Sequence, residues 1–220
     1  MSIKAIITGA TGMVGEGVLH VCLNSPDVES VLVVNRKPCG VSHPKLKEII
    51  HKDLLDLSSI EDQLIDYNAC YFCAGVSSVR KSEKEYTHIT YDLTLSFANT
   101  LVQLNPHMVF KYVSGVGTDS SEKGKSMWAR VKGKTENNLL KLPFKDVYAY
   151  RPGYIQPISG MKNTYKVYKY LSPLYPIFEK LFPKYVGTLE EIGNSMINVT
   201  MNGCEKKVLE CVDIRQTGKQ

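Results

Sequence analysis

The sequence predicts an α/β protein in which helices cover both faces of a doubly wound parallel sheet, giving three layers (α/β/α). Short runs of β-branched and aromatic residues alternate with longer stretches that repeat apolar residues at helical spacing. A glycine-rich turn joins the first such strand to the first helix. Small or polar residues follow several strands directly. In parallel sheets those strand ends meet at one edge, where ligands bind.

The glycine-rich turn Thr8–Gly15 follows the apolar strand Ile3–Ile7. Gly9 and Gly12 place no Cβ between the turn and an incoming phosphate. The first N–H groups of the next helix have no partner inside that helix and carry the positive end of its dipole. This pattern predicts a Rossmann-type dinucleotide site, although its spacing is one residue longer than G-x-G-x-x-G. The alternative is a turn that binds nothing. The predicted cofactor contacts in the turn are Gly9, Thr11, Gly12, Met13 and Val14.

The second predicted strand, Ser30–Asn35, ends in a polar and basic sequence, Asn35-Arg36-Lys37. In dinucleotide folds an acidic residue at this place binds the ribose 2′-OH of NAD, whereas an arginine accommodates the 2′-phosphate of NADP. No carboxylate is present to repel a phosphate, and two cations would attract it. Asn35, Arg36 and Lys37 therefore predict NADP(H) as the cofactor. The alternative is a solvated basic turn before Pro38.

The third and fourth predicted strands, Leu46–His51 and Asn68–Cys73, end in further candidate contacts. Asp53 is expected to touch the adenine edge, or else to cap a short helix at Leu57–Ile65. Small residues after the fourth strand would also lie beside a cofactor. The predicted contacts at these two strand ends are Asp53, Cys73, Ala74 and Gly75.

The remaining predicted helices and strands divide the chain into a core, 1–151, and a small C-terminal lobe, 152–220, that completes the same domain. They are helix Glu83–Leu104, strand Met108–Val113, helix Ser126–Leu140, strand Asp146–Arg151, helix Leu189–Met201 and strand Lys207–Glu210. Between Thr164 and Tyr185, tyrosines, lysines and prolines predict two short amphipathic helices. These would form a substrate lid or a subunit contact in a homodimer, in preference to a membrane-surface helix.

Composition limits the function classes. A net charge of +5 over 220 residues, with no arginine-rich arm or zinc-finger spacing, gives no reason to predict nucleic-acid binding. No stretch predicts a membrane span or a secretory signal. Among six scattered cysteines, Cys70 and Cys73 form a C-x-x-C inside an apparent strand, where residues three apart face opposite sides, and the five histidines lack ligand spacing. These cysteines and histidines predict reduced thiols, no metal site and a cytoplasmic location.

Taken together, these motifs resemble the atypical and extended short-chain dehydrogenase/reductase families over almost the whole chain. The similarity is greatest to Tat-interacting-protein-like oxidoreductases and to bacterial relatives labelled nucleoside-diphosphate-sugar epimerases. The matching residues are Thr8–Gly15, Asn35-Arg36, Asp53-Leu54, Val113-Ser114, Val131–Glu136 and Arg151-Pro152-Gly153. The resemblance implies NADP(H) binding. It adds to the cofactor contacts Leu54, Val113, Lys132, Pro152 and Gly153.

The resemblance also implies a catalytic set, from which this chain departs. In the family, a serine after the fifth strand and a Tyr-x-x-x-Lys motif on the next helix carry the chemistry. Ser114 and Lys132 match, but Trp128 stands at the tyrosine position. An indole N–H donates a hydrogen bond and cannot serve as a general acid near neutral pH. All three are expected to share one site; the alternatives are a turn serine, core packing and a Lys132–Glu136 surface pair.

Three functions follow, in order of preference. The first is an NADP(H)-dependent oxidoreductase acting on an unknown small or hydrophobic substrate, with its proton supplied by Ser114, Tyr154 or water. The second is a protein that binds NADP(H) without turnover and reports redox state to a partner. The third is an epimerase-like enzyme acting on a nucleoside-diphosphate sugar, for which the chain beyond Arg151 is short.

Overall fold

The structure, a computed structural model, describes residues 2–164 and 168–219. Its main sheet contains seven strands, all paired in parallel, in the order β3-β2-β1-β4-β5-β6-β9. The strands are β1 (Ile3–Thr8), β2 (Val28–Asn35), β3 (Leu46–Ile50), β4 (Ala69–Phe72), β5 (Val109–Val113), β6 (Asp146–Arg151), β7 (Tyr154–Gln156), β8 (Val186–Thr188) and β9 (Val208–Glu210). The predicted Rossmann-type α/β fold is confirmed. The strand order reverses between β1 and β4, and ligands bind above such a switch point.

Helices cover both faces of this sheet. They are α1 (Met13–Asn24), α2 (Glu83–Thr87), α3 (Leu93–Leu104), α4 (Met127–Leu139), α5 (Tyr168–Leu171), α6 (Tyr175–Leu181), α7 (Leu189–Asn202) and α8 (Cys211–Gly218). A π-helical turn, His88–Asp92, joins α2 to α3, so the long predicted helix Glu83–Leu104 is helical throughout. The predicted helix at Leu57–Ile65 is instead a 3₁₀ helix, Ser58–Gln63.

Two apolar cores lie on opposite faces of the sheet, as alternation along each strand requires. On β4, Tyr71 faces the layer of α1 and α7, whereas Phe72 faces the layer of α3. The Phe72 ring packs edge-on against Phe97 with ring centroids 5.4 Å apart. Successive residues of one strand therefore pack into both layers, and β4 pairs with β1 between them.

The core on the α1 and α7 side contains a fully buried lysine, Lys111 of β5. Its Nζ donates to Thr200 Oγ1 at 2.6 Å and lies 5.3 Å and 5.4 Å from the ring centroids of Tyr71 and Tyr148. Burial lowers the pKa of Lys111 well below its usual value. Burial also raises the pKa of the Cys22 thiol to about 12, so this cysteine packs as a small apolar residue.

The C-terminal residues return to the main sheet. β9 pairs with β6, and α7 packs so closely on α1 that a Cβ on Gly193 would lie 2.6 Å from Val21 Cβ. Two features were not predicted: the small parallel sheet β7–β8 and the helix α8. The two short helices predicted between Thr164 and Tyr185 correspond to α5 and α6, but residues 165–167 lie outside the described residues. The boundary at residue 151 falls between β6 and β7 and stays a prediction.

Candidate functional site

The glycine turn between β1 and α1 is held by backbone contacts that exclude side chains. Gly9 has φ +74°, and a Cβ on it would lie 2.6 Å from Ala74 N. A Cβ on Gly15 would lie 2.2 Å from Gly9 O. Gly12 N donates to Gly9 O at 2.9 Å and begins α1 without any side-chain cap. The first N–H groups of α1 are therefore left for a ligand at the positive end of the helix dipole.

A cleft of about 760 Å³ opens beside this turn, at the carboxyl ends of β1, β2 and β4. Ten of the predicted cofactor contacts line it, together with Pro38 and Asn163. The ten are Gly9, Thr11, Gly12, Asn35, Arg36, Lys37, Leu54, Cys73, Ala74 and Gly75. Residues from separate parts of the chain therefore lie in one cleft, as expected for residues at the carboxyl ends of parallel strands. Their role in binding stays a prediction.

Asn35 is buried at the base of this cleft and carries an unsatisfied donor. Its Oδ1 accepts the N–H of Ala10 at 3.2 Å, while its Nδ2 has no hydrogen-bond partner among the described residues. Buried polar groups are nearly always paired, so a free donor lining a cleft indicates a missing acceptor. Arg36 and Lys37 lie at the same strand end, both exposed. Neither forms an ion pair with any described residue.

Seven predicted cofactor contacts do not line the cleft: Met13, Val14, Asp53, Val113, Lys132, Pro152 and Gly153. The side chains of Met13 and Val14 point into the core behind α1. Asp53 is exposed and its Oδ1 accepts the N–H of Leu55 at 3.0 Å, so it neither reaches the cleft wall nor caps the helix that begins at Ser58. The side chains of these three residues therefore lie away from the cleft, and their part in cofactor binding stays a prediction.

The last contacts in that group lie at the carboxyl ends of β5 and β6. Val113 is the last residue of β5 and packs against the core. Pro152 O accepts the N–H of Val116 at 2.9 Å. A Cβ on Gly153 would lie 2.1 Å from Tyr185 O, so this glycine is required for packing against the chain before β8. Pro152 therefore contacts the loop after β5, and Gly153 contacts the chain before β8.

Ser114 and Lys132, predicted to act together, are in contact. Lys132 Nζ donates to the carbonyl oxygen of Ser114. Burial lowers the pKa of Lys132 to about 8, and the nearby Glu136 opposes part of that shift. The predicted alternative, a surface pair of Lys132 with Glu136, is wrong because Glu136 is fully buried and forms its ion pair with Arg151.

The Ser114 hydroxyl is held by that buried pair. Its Oγ lies 2.5 Å from Glu136 Oε1 and 3.1 Å from the carbonyl oxygen of Tyr150. Arg151 donates to the same carboxylate through Nε at 3.1 Å and through a terminal nitrogen at 2.5 Å. Because a hydroxyl has one proton, Ser114 directs it to Glu136 or to Tyr150, and away from the solvent side of the site. Sequence reasoning missed this role of Glu136.

Trp128 lies on α4 one turn before Lys132, and its half-buried ring packs over the loop that follows Ser114. A Cβ on Gly117, which has φ +83°, would lie 3.3 Å from Trp128 Cη2. The indole thus packs against the loop that follows β5, on the same helix as Lys132. The segment Met127–Lys132 contains no tyrosine that could supply the phenol of the Tyr-x-x-x-Lys pattern.

Comparison with protein families matches residues 5–144 to the NAD dependent epimerase/dehydratase family. The chain belongs to this family. Its match covers the glycine turn, the end of β2 and both Ser114 and Lys132. Membership shows a nicotinamide-dinucleotide-binding fold of the short-chain dehydrogenase/reductase type, in agreement with the resemblance found in the sequence.

Curated relatives of the chain include two proteins whose names carry the designation FMP52. Protein FMP52, mitochondrial, of Candida albicans is 27% identical over 154 residues, which is 68% of this chain and 66% of that protein. Protein FMP52-1, mitochondrial, of Scheffersomyces stipitis is 24% identical over 92% of this chain and 90% of its own length. Both names state a mitochondrial location. The predicted cytoplasmic location is therefore contradicted and is withdrawn.

Solved structures share the fold at low sequence identity. A UDP-N-acetylglucosamine 4-epimerase from Methanobrevibacter ruminantium, in complex with UDP-N-acetylmuramic acid, gives a TM-score of 0.67 at 15% identity, covering 94% of this chain and 76% of that one. A short chain dehydrogenase from Burkholderia cenocepacia in complex with NADP gives 0.66 at 12% identity, with 99% and 92% covered. WbmF of Bordetella bronchiseptica, in complex with NAD+, gives 0.67 at 14%, with 98% and 77% covered.

The described residues offer neither a metal cluster nor a membrane-spanning helix. Across residues 2–164 and 168–219, no three His, Cys, Asp or Glu side chains gather closely enough to hold a metal ion. The absence of a metal from the function stays a prediction. Within the same ranges, no helix has the length and apolar character needed to span a bilayer.

Proposed function

We propose that the chain is an NADP(H)-dependent oxidoreductase acting on a small or hydrophobic substrate. The observation that carries the choice of cofactor is the pair Arg36 and Lys37, exposed on the cleft beside Asn35 with no carboxylate partner among the described residues. A phosphate monoester at this position would receive charge-assisted hydrogen bonds from both side chains. Similar folds hold NADP in one solved structure and NAD+ in another, and the two exposed cations support the first.

The residues present fit a dinucleotide. Gly9 and Gly12 bring no side chain to the turn, and the first N–H groups of α1 offer donors to a pyrophosphate. The orphaned Asn35 Nδ2 offers a further donor. When bound, the cofactor would supply a hydride.

The chain's own residues then have to bind the substrate and provide a proton. Ser114 is poorly suited to provide it, because its hydroxyl hydrogen is engaged by Glu136 or Tyr150. Tyr154 OH donates to Gln156 Oε1 at 3.3 Å, and burial raises its pKa further. The Lys132 ammonium, with a pKa of about 8, carries a proton near neutral pH and lies against Ser114. We assign the proton-donating role to Lys132 in place of the absent tyrosine.

Replacing Arg36 with alanine tests the cofactor. We expect the Kd for NADPH to rise about 10- to 100-fold, since a hydrogen bond between charged groups contributes about 1.5–3 kcal/mol. The Kd for NADH should change less than about 3-fold. Isothermal titration calorimetry with both nucleotides measures the difference. Lys141→Ala, which removes an exposed cation at the far end of α4, is the control. Equal losses for both nucleotides, or none, would contradict the 2′-phosphate role.

A second candidate function is NADP(H) binding without turnover, favoured by Trp128 at the place of the general acid. Trp128→Tyr distinguishes it from the first. If Lys132 and the cofactor are poised for chemistry, a phenol at position 128 should raise NADPH-dependent reduction of simple aldehydes by about 10²-fold or more. Trp128→Phe removes the indole without adding a hydroxyl and is the matched control. An unchanged rate in Trp128→Tyr, with NADPH affinity intact, would favour the non-catalytic protein. The nucleoside-diphosphate-sugar epimerase remains a third candidate.

A further inference from the structure

Glu16 of α1 is a buried carboxylate that ties a distant segment to the glycine-turn helix. It is 3% exposed, and its two oxygens accept the backbone N–H groups of Lys162 at 2.8 Å and Asn163 at 2.7 Å. The imidazole of His20 also faces it, with Nε2 3.9 Å away on the same helix. Two charge-assisted hydrogen bonds to one carboxylate fix the position of this segment, residues 160–163.

The anchored segment reaches the cleft on the side of the basic turn. Asn163 is part of the cleft wall. The exposed Lys162 side chain extends to the connection between β2 and β3, where its Nζ donates to Gly40 O at 3.3 Å. Gly40 follows Arg36 and Lys37 within the same connection. The C-terminal part of the chain therefore crosses to the strand end at which a 2′-phosphate would bind.

Lys162 is a third cation at this rim that no carboxylate neutralises. It forms no ion pair among the described residues, and its partner at Gly40 is a neutral carbonyl. A carboxylate that does reach this connection, Glu48 of β3, accepts the backbone N–H of Cys39 at 2.8 Å. Arg36 and Lys37 line the cleft, and the Lys162 ammonium contacts the connection that follows them. Three cations without carboxylate partners among the described residues thus lie on or against one connection, a distribution that suits a dianionic phosphate.

We propose that Lys162 completes a phosphate site with Arg36 and Lys37, and so is a further determinant of NADP(H) over NAD(H). The inference rests on the proposed cofactor and assigns part of its recognition to the segment after β7. The ligand class is a ribose 2′-phosphate monoester. On binding, the ammonium exchanges the Gly40 carbonyl for a phosphate oxygen, and Glu16 keeps the backbone of residues 162 and 163 in place.

Lys162→Met tests the proposal, because methionine keeps an unbranched stem and removes only the charge. The variant is titrated calorimetrically with NADPH, NADH, 2′-AMP and 5′-AMP. The Kd for the two 2′-phosphorylated ligands, NADPH and 2′-AMP, should rise about 3- to 10-fold, a modest change because the Lys162 side chain is exposed. The other two should change less than about 2-fold. Lys162→Arg should bind like the wild type, and Lys141→Met should change nothing. Glu16→Ala, which frees the segment while leaving Lys162 in the chain, should show the same selective loss.

The outcomes separate this inference from the proposed function. Wild-type protein that prefers NADPH, together with a Lys162→Met variant that keeps the full preference, overturns the role of Lys162 alone. Wild-type protein that binds both nucleotides equally, or neither, overturns the proposed cofactor itself. The Lys162 side chain is exposed and its ammonium donates to a single neutral carbonyl, that of Gly40, so the melting temperature of Lys162→Met should stay close to that of the wild type.

Discussion

Replacing Gly15 with alanine is expected to destabilise the protein by about 2–3 kcal/mol and to abolish nicotinamide-nucleotide binding. The new Cβ would lie 2.2 Å from Gly9 O, 2.4 Å from Gly9 C and 2.8 Å from Ala10 N. All three atoms are backbone, so the turn itself has to move. Alanine in a helix is favoured over glycine by about 1 kcal/mol, which is too small to offset such overpacking. Urea unfolding and calorimetry with NADPH measure the two effects.

Gly75→Ala is the matched control for that substitution. Gly75 also lines the cleft, but a Cβ on it meets no atom within 4 Å. The free energy of unfolding of the Gly75→Ala protein should therefore stay within about 0.5 kcal/mol of that of the wild type. A Gly15→Ala protein as stable as Gly75→Ala would mean that the turn is not closed by the contact between Gly15 and Gly9.

Glu136→Ala should be the most destabilising single change, at about 3–5 kcal/mol. It leaves the guanidinium of Arg151, whose side chain is 11% exposed, without its buried partner, and it frees the Ser114 hydroxyl. The comparison is Glu210→Ala, which removes the other carboxylate paired with Arg151. That carboxylate is 48% exposed, and its loss should cost less than about 1 kcal/mol. Urea unfolding followed by circular dichroism measures both.

The two variants also separate burial from pairing. If Glu136→Ala and Glu210→Ala lowered the free energy of unfolding equally, burial of the Glu136 carboxylate would not explain the loss of stability. Replacing the buried pair as a whole, with Glu136→Leu and Arg151→Met together, should recover most of the loss. Burying two apolar side chains avoids the desolvation of two charges.

Much of the fold follows from local patterns that need no knowledge of partners. The central strands, such as Ile3–Thr8 and Asp146–Arg151, are mostly apolar because both of their faces are covered, and turns or prolines mark their ends. The sequence could not indicate β7 and β8. Each has three residues, and they become strands only because Tyr154 and Val186 are brought together by packing.

The part of the site that could be predicted consists of residues that directly follow the parallel strands. Residues such as Arg36 and Gly75 could be placed at one edge because parallel strands end there. Met13 and Asp53 could not be placed, because the direction of a side chain from a turn depends on packing. The contact between Glu16 and Lys162 spans 146 residues and involves backbone N–H groups, which carry no sequence signal. The location was predicted wrongly because free thiols indicate redox conditions and do not identify an organelle.

The close packing of α1 on α7 has a consequence for how the protein is made. The α1 face that carries Val21 is synthesised early, whereas Gly193, which fits against it, is synthesised only after β6 and the lobe. Contacts between such distant parts of a chain form slowly. While β2 to β6 emerge from the ribosome, that face is bare and open to unwanted association. The nucleotide-binding half thus gains its last layer only after residues 189–202 have been translated.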